Sequence, residues 1–171
     1  MINEKIEKAF NEQINNEIFS AYLYYSMSAY FHSIGLDGMA QWMKVQALEE
    51  LTHAQKFFDH IVERDGRVEL GAIEKPQIEW KSPLEAFEAA YKHEQFITGK
   101  INELMKLSRD ENDYASQGML QWFVDEQVEE EASTSKIAQQ LQMINDSPNA
   151  LLMLDRELGT RVFTPPAPED Q

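Results

Sequence analysis

Apolar residues recur at three- and four-residue intervals along four long stretches, and polar side chains interrupt each stretch near its middle. The first runs Ile6, Phe10, Gln13, Glu17, Ala21, Tyr24, Ser28, Phe31, and the second Met39, Met43, Gln46, Glu50, His53, Phe57, Ile61. The third is Phe87, Ala90, Glu94, Ile97, Ile101, Leu104, and the fourth Leu120, Phe123, Gln127, Glu130, Thr134, Ile137, Leu141, Ile144. That spacing marks one face of an α-helix, so four amphipathic helices are expected. Each face carries an acid near its centre: Glu17, Glu50, Glu94 and Glu130. A buried carboxylate without a partner costs on the order of several kcal/mol. No Lys or Arg stands on these faces, so the expected counter-charge is a metal ion.

Helix boundaries follow from stop and start signals. The first helix is expected over about residues 3–33, ending at Gly35. Asp37 is the expected N-cap of a second helix that runs to about residue 64, before Asp65-Gly66. Residues 66–81 contain Gly71 and Pro76 and show no helical period. Ser82-Pro83, with Glu85 behind them, open a third helix that reaches about residue 109. A polar turn over 110–113 leads to a fourth, ending near residue 145, and Ser147-Pro148 start a short fifth over about 149–158. Residues 161–171, with three prolines followed by acids, read as a flexible tail. Short connections make two antiparallel hairpins. The second helix is roughly 40 Å long at 1.5 Å per residue, and 66–81, extended, reaches roughly 50 Å. The expected fold is therefore all-α: a four-helix bundle with one long crossover plus a short fifth C-terminal helix. Mid-helix residues then meet at one level whichever way the helices run.

Composition narrows the chemistry. A chain of 171 residues suits a single domain, with residues 1–160 forming it and 161–171 its tail. The absence of Cys removes disulfides, zinc–thiolate sites, iron–sulfur clusters and thiol nucleophiles together. Thirty acids against fifteen bases give a net charge of −15, which repels nucleic acid and favours cations. No apolar run is long enough to span a membrane, and Met1-Ile2-Asn3-Glu4-Lys5 shows no leader pattern. A cytoplasmic protein without nucleic-acid or membrane partners is expected.

Glu50-Leu51-Thr52-His53 is an E-x-x-H pair, with a carboxylate and an imidazole one turn apart on one face. Together with Glu17, Glu94 and Glu130 it matches the pattern of di-iron carboxylate bundles. Four carboxylates and a neutral imidazole carry −4, which two divalent ions balance. Oxygen-rich ligation with one imidazole suits iron or manganese better than copper, with zinc as a competitor.

On these residues the chain resembles a bacterial non-haem ferritin across nearly its whole length, the long crossover and short fifth helix included. The resemblance implies a ferritin-like di-iron domain and a homo-oligomeric cage of 24 subunits. It also implies Fe(II) oxidation by O2 or H2O2 within each bundle and storage of the ferric mineral in the cavity. It assigns one iron to Glu17, Glu50 and His53, and a second to Glu50, Glu94 and Glu130, with Glu50 bridging and Gln127 alongside. Glu49, Glu126 and Glu129 match the acids of a third iron site towards the cavity, with Glu130 shared. A bacterioferritin has a second E-x-x-H where this chain reads Gln127-Val128-Glu129-Glu130, and a haem-binding Met where it has Leu51, so no haem is expected. Rubrerythrins carry a cysteine-bound iron domain that is absent here, and miniferritins place iron between subunits.

Tyr24 lies two turns from Glu17 on the same face and is expected beside the metal, as an electron donor or a hydrogen-bonding partner of a ligand. Trp122 is expected as packing near the site, and His60 as too far from His53 to share a metal. His32 and His93 read as surface or interface residues. Met27, Met39, Met43, Met105, Met119, Met143 and Met153 read as gap-filling core. A second apolar face on the first helix, Ile18, Phe19, Tyr22, Leu23, Tyr25 and Tyr30, fits a subunit interface. A non-storage di-iron oxidase or peroxidase and a purely structural helical assembly are the competing functions. The extra acids Glu49, Glu126 and Glu129 favour storage.

Overall fold

A computed structural model describes residues 1–144 and 147–165. It contains α1 (Glu4–Ser33), α2 (Asp37–Glu63), α3 (Pro83–Asp110), α4 (Tyr114–Ile144) and α5 (Pro148–Leu158). α1 packs chiefly on α2 and α3 on α4, forming the two expected hairpins, and α5 lies mainly against α2. The expected end of α4 at Asn145 and the tail beyond residue 165 lie outside the described residues. No described helix is long and apolar enough to cross a membrane.

Three helices end in the same way. After α1, α2 and α3 the chain turns through a positive φ at Gly35, Asp65 and Asn112. Each turn closes a six-residue and a four-residue backbone hydrogen bond, as in Leu36 N–H to the Phe31 carbonyl and Gly35 N–H to His32. This satisfies carbonyls that a helix end leaves open. At the end of α2 the left-handed residue is Asp65 rather than the adjacent Gly66.

The start of α2 differs from expectation. Asp37 is its first helical residue, and the N-cap position belongs to Leu36, which supplies no side-chain bond. Instead the Met39 N–H donates to buried Asp155 Oδ1 of α5 at 2.8 Å. A residue 116 positions away thus performs the capping, while Asp37 accepts from His32 Nδ1 at 2.6 Å. The close approach needs Gly38, where a Cβ would fall 1.7 Å from the Asp155 carbonyl oxygen. Backbone cannot yield as a side-chain tip would. Gly38→Ala is expected to lower the melting temperature by about 5–10 °C through overpacking of the α2–α5 contact, measured by calorimetry; an unchanged melting temperature would contradict this packing.

Residues 66–81 run along α1, held by side chains of that helix. Asn11 donates to the Arg67 carbonyl at 3.0 Å and accepts from the Glu69 N–H at 2.7 Å. Asn15 accepts from the Gly71 N–H, and Ser26 donates to the Gln77 carbonyl. At its far end Trp80 packs edge-on to Tyr30, with centroids 5.3 Å apart. This segment covers part of the second apolar face of α1: Leu23 and Tyr30 are buried within the chain, whereas Tyr22 and Tyr25 stay exposed.

The core is divided in two. One apolar cluster gathers Met27, Phe31, Met39, Met43 and Phe87 with Leu154 and Leu158 of α5. The other gathers Ile6, Phe10, Phe57, Ile61, Ile101, Leu120 and Phe123. Between them lies a buried polar layer: Gln13, Glu17, Gln46, Glu50, His53, Glu94, Gln127, Glu130 and Thr134. Met143 and Met153 are exposed rather than core.

Candidate metal centre

Each central acid is delivered by a different helix, and each is almost fully buried: Glu17 from α1, Glu50 and His53 from α2, Glu94 from α3, Glu130 from α4. Ligand atoms of Glu17, Glu50 and His53 lie within 4.8 Å of one another, and so do those of His53, Glu126 and Glu130. His53 is common to both groups. Its Nδ1 is 3.3 Å from Glu50 Oε2 and 4.0 Å from Glu17 Oε2. Its ring is flanked edge-on by Trp122 and Phe123, with centroids at 5.4 and 5.8 Å. Glu94 belongs to neither group: it accepts from the Tyr24 hydroxyl and, at 3.2 Å, from Gln127 Nε2.

Two glutamines hold the carboxylates from one turn below. Gln13 Nε2 donates to Glu17 Oε1 at 2.7 Å, and Gln46 Nε2 donates to Glu50 Oε1 at 3.0 Å and to Glu130 Oε2 at 2.7 Å. Each stands four residues before the acid of its own helix, and Gln46 also reaches across to α4. Both lie on the apolar faces of the sequence, where the four-residue spacing is the signal that places them beside the acids.

Of the remaining acids, Glu126 is half-buried and Glu129 exposed, while Glu49 is engaged by Arg161 in an ion pair. Arg161, at the head of the expected tail, is therefore anchored to α2. His93 is partly buried, its Nε2 2.7 Å from Ser20 Oγ. His60 meets Ser116 and Arg64, away from the metal centre.

The electrostatics are those of a crowded, dry acid cluster. Burial, then the charge of Glu50, pushes the Glu17 carboxyl up to about 8, and the same two causes push Glu94 to about 8. Burial and the neighbouring carboxylates also hold Glu130 well above its ordinary range. Burial opposes charge on His53, but Glu50, Glu17 and Glu130 overcome it and raise the imidazole to about 10. Burial likewise opposes charge on Glu50, and its contacts with His53 and Gln46 outweigh that, leaving it below its ordinary value. Burial thus favours the neutral form of Glu17, Glu94 and Glu130, while Glu50 and the His53 imidazole favour each other's charged forms. Tyr24, raised by burial and Glu94, remains a neutral donor.

Within the polar layer one atom is left over. Glu17 Oε2 is buried and has no hydrogen-bond partner among the described residues. An orphaned carboxylate oxygen is costly, and this one faces Glu50 and His53. A cation placed among the three would satisfy it, and the donor set, oxygens with one imidazole, fits iron or a similar divalent metal. A ferritin-like domain model matches residues 7–144. The chain belongs to the ferritin family. This ferritin chain is 39% identical to a probable bacterial non-heme ferritin-like protein of Haemophilus influenzae, covering 93% of this chain and 96% of that one. It is 38% identical to a bacterial non-heme ferritin of Staphylococcus aureus over 95% and 98% of the two chains. Among solved structures, an open pore ferritin from the archaeon Archaeoglobus fulgidus is 53% identical, with a TM-score of 0.94 over 95% of this chain and 100% of that one. An engineered closed form of the same protein is 54% identical, with a TM-score of 0.95 over 96% and 100%.

Proposed function

We propose that the protein is an iron-storage ferritin with ferroxidase activity, taking up Fe(II), oxidising it to Fe(III) inside the bundle and storing the mineral in a closed cage of 24 copies. The observation that carries this reading is the buried Glu17–Glu50–His53 group with its orphaned carboxylate oxygen. Iron is the substrate here. Glu17, Glu50 and His53 receive one Fe(II), and Glu50, Glu94 and Glu130 the other, with Glu50 shared and Gln127 and Tyr24 orienting Glu94. Each iron gives up one electron to O2 or H2O2, and the arriving metal ions displace the protons of the acids and of the His53 imidazole to solvent. Glu126, with Glu129 and Glu49 beyond it, forms a third position on the way out. Residues 1–160 act as the single domain, the location is the cytoplasm, and the partners are other copies of the chain, not nucleic acid or membrane.

The likeness to bacterial non-heme ferritins and to an archaeal ferritin supports storage over a free-standing oxidase, and exposed Tyr22 and Tyr25 offer apolar surface for assembly. The deciding experiment is size-exclusion chromatography with light scattering after aerobic Fe(II) loading. A shell of 24 copies, roughly half a megadalton with closed symmetry, carrying far more iron than its oxidation sites can hold, is expected. A monomer or dimer that oxidises iron and retains only two ions per chain would favour the oxidase.

A further inference from the structure

Arg161 lies beyond the end of α5, yet its guanidinium reaches the edge of the polar layer. Nη1 donates to Gln46 Oε1 at 2.8 Å, and Nη2 pairs with the Glu49 carboxylate. The guanidinium carbon also sits 4.4 Å from the centre of the Trp42 ring. A planar fork with donors in two directions and a face that stacks on an aromatic ring suits arginine and not lysine. The element that delivers it is itself fixed, because Asp155 caps α2 and Gly38 admits the α5 backbone. Gln46 is buried and committed on its other side, where Nε2 donates to Glu50 and Glu130. Its oxygen therefore has to face away from the carboxylates, towards Arg161.

The three outlying acids are consequently unequal. Among the described residues Glu49 has an ion-pair partner, whereas Glu126 and Glu129 have none. We infer that Arg161 is a built-in counter-cation for Glu49, seated by Gln46 and Trp42, which a metal ion has to displace before it can use that carboxylate. The inference rests on the metal-centre reading above and adds a rank order: the inner pair fills first, and an ion at Glu49 binds later and more weakly. It also ties the chain after α5 to metal occupancy, since the guanidinium and the ion compete for one carboxylate.

The test is an anaerobic titration of the full-length, metal-free protein with Co(II), followed by ligand-field absorption and calorimetry. Wild type is expected to bind two ions tightly and a third weakly. Arg161→Ala should tighten the third ion about tenfold, the worth of a partly exposed charge-assisted pair. Arg161→Lys, which keeps a cation near Glu49 but loses the fork and the stacking on Trp42, should fall between the two. In a Glu49→Gln background Arg161→Ala should change the third ion less than about twofold, because the competition has no object left. Equal third-ion affinities in wild type and Arg161→Ala, or an undiminished effect in the Glu49→Gln background, would overturn the inference. Failure of wild type to bind even two ions would overturn the metal-centre reading itself.

Discussion

Glu50→Ala is expected to abolish rapid Fe(II) oxidation, slowing it by at least about 100-fold, the upper end of what loss of even an indirect metal contact costs. Glu50 lies within reach of His53 and Glu17 and shares the Gln46 amide with Glu130, and in the proposed assignment both ions share its carboxylate. His53→Ala removes one donor from one ion and should slow oxidation by about 10–100-fold while the other ion still binds. Stopped-flow absorbance of the ferric product would measure both, with light scattering to show that assembly is intact. Glu50→Gln is the necessary companion, because it preserves volume and removes charge. Wild-type rates in both Glu50→Ala and His53→Ala would place the chemistry elsewhere.

A second large effect joins pH to metal. Glu17 and Glu94 hold their protons up to about pH 8 when folded and metal-free, against 4.5 for an ordinary glutamate. Between those values the folded chain binds more protons than the unfolded one, so stability falls as pH rises. His53 acts in the same direction at higher pH: its raised value contributes stability that is complete below 6.5 and is lost as pH climbs through about 10. Glu50, lowered, contributes stability present above 4.5 and lost below it. Metal-free protein should therefore lose, in total, on the order of several kcal/mol between pH 5 and 8. Divalent metal replaces the protons, so the rise in melting temperature on adding it should be small at pH 5 and large at pH 8. Calorimetry with chelator and with Zn(II), repeated on Glu94→Gln, measures this. The acidic surface also lowers stability as pH rises, but only the polar layer makes the slope flatten in Glu94→Gln. Equal metal increments at both pH values would sink the account.

The helices and the central acids were legible because both depend on local spacing. An acid at the middle of an apolar face stays at the middle of the bundle however the hairpins are arranged, so Glu17, Glu50, Glu94 and Glu130 could be aligned without knowing the topology. Asn3 and Ser82 cap their helices through their own side chains, as their positions suggest. What escaped depends on long-range meetings. Asp155 and Met39, or Arg161 and Glu49, are more than a hundred positions apart, and nothing in either neighbourhood marks the other. Asp37 misled for the same reason: its own sequence favours capping, but α5 supplies the acceptor first. The amides of Gln13 and Gln46 lie on the same faces, four residues before Glu17 and Glu50, but spacing alone does not say which acid an amide will hold.

The division of the core into two apolar clusters with a polar waist between them has a consequence for how the helices find their alignment. An uninterrupted oily seam would let one helix slide past its neighbour by a turn, about 5.4 Å, with little change in buried area. Here such a slide would carry a carboxyl into a cluster of Phe and Ile side chains and strand the amide that had been holding it. The waist therefore works as a vernier scale cut into the bundle: it costs stability in the empty protein, and in exchange only one axial setting of the four helices brings every mark into line.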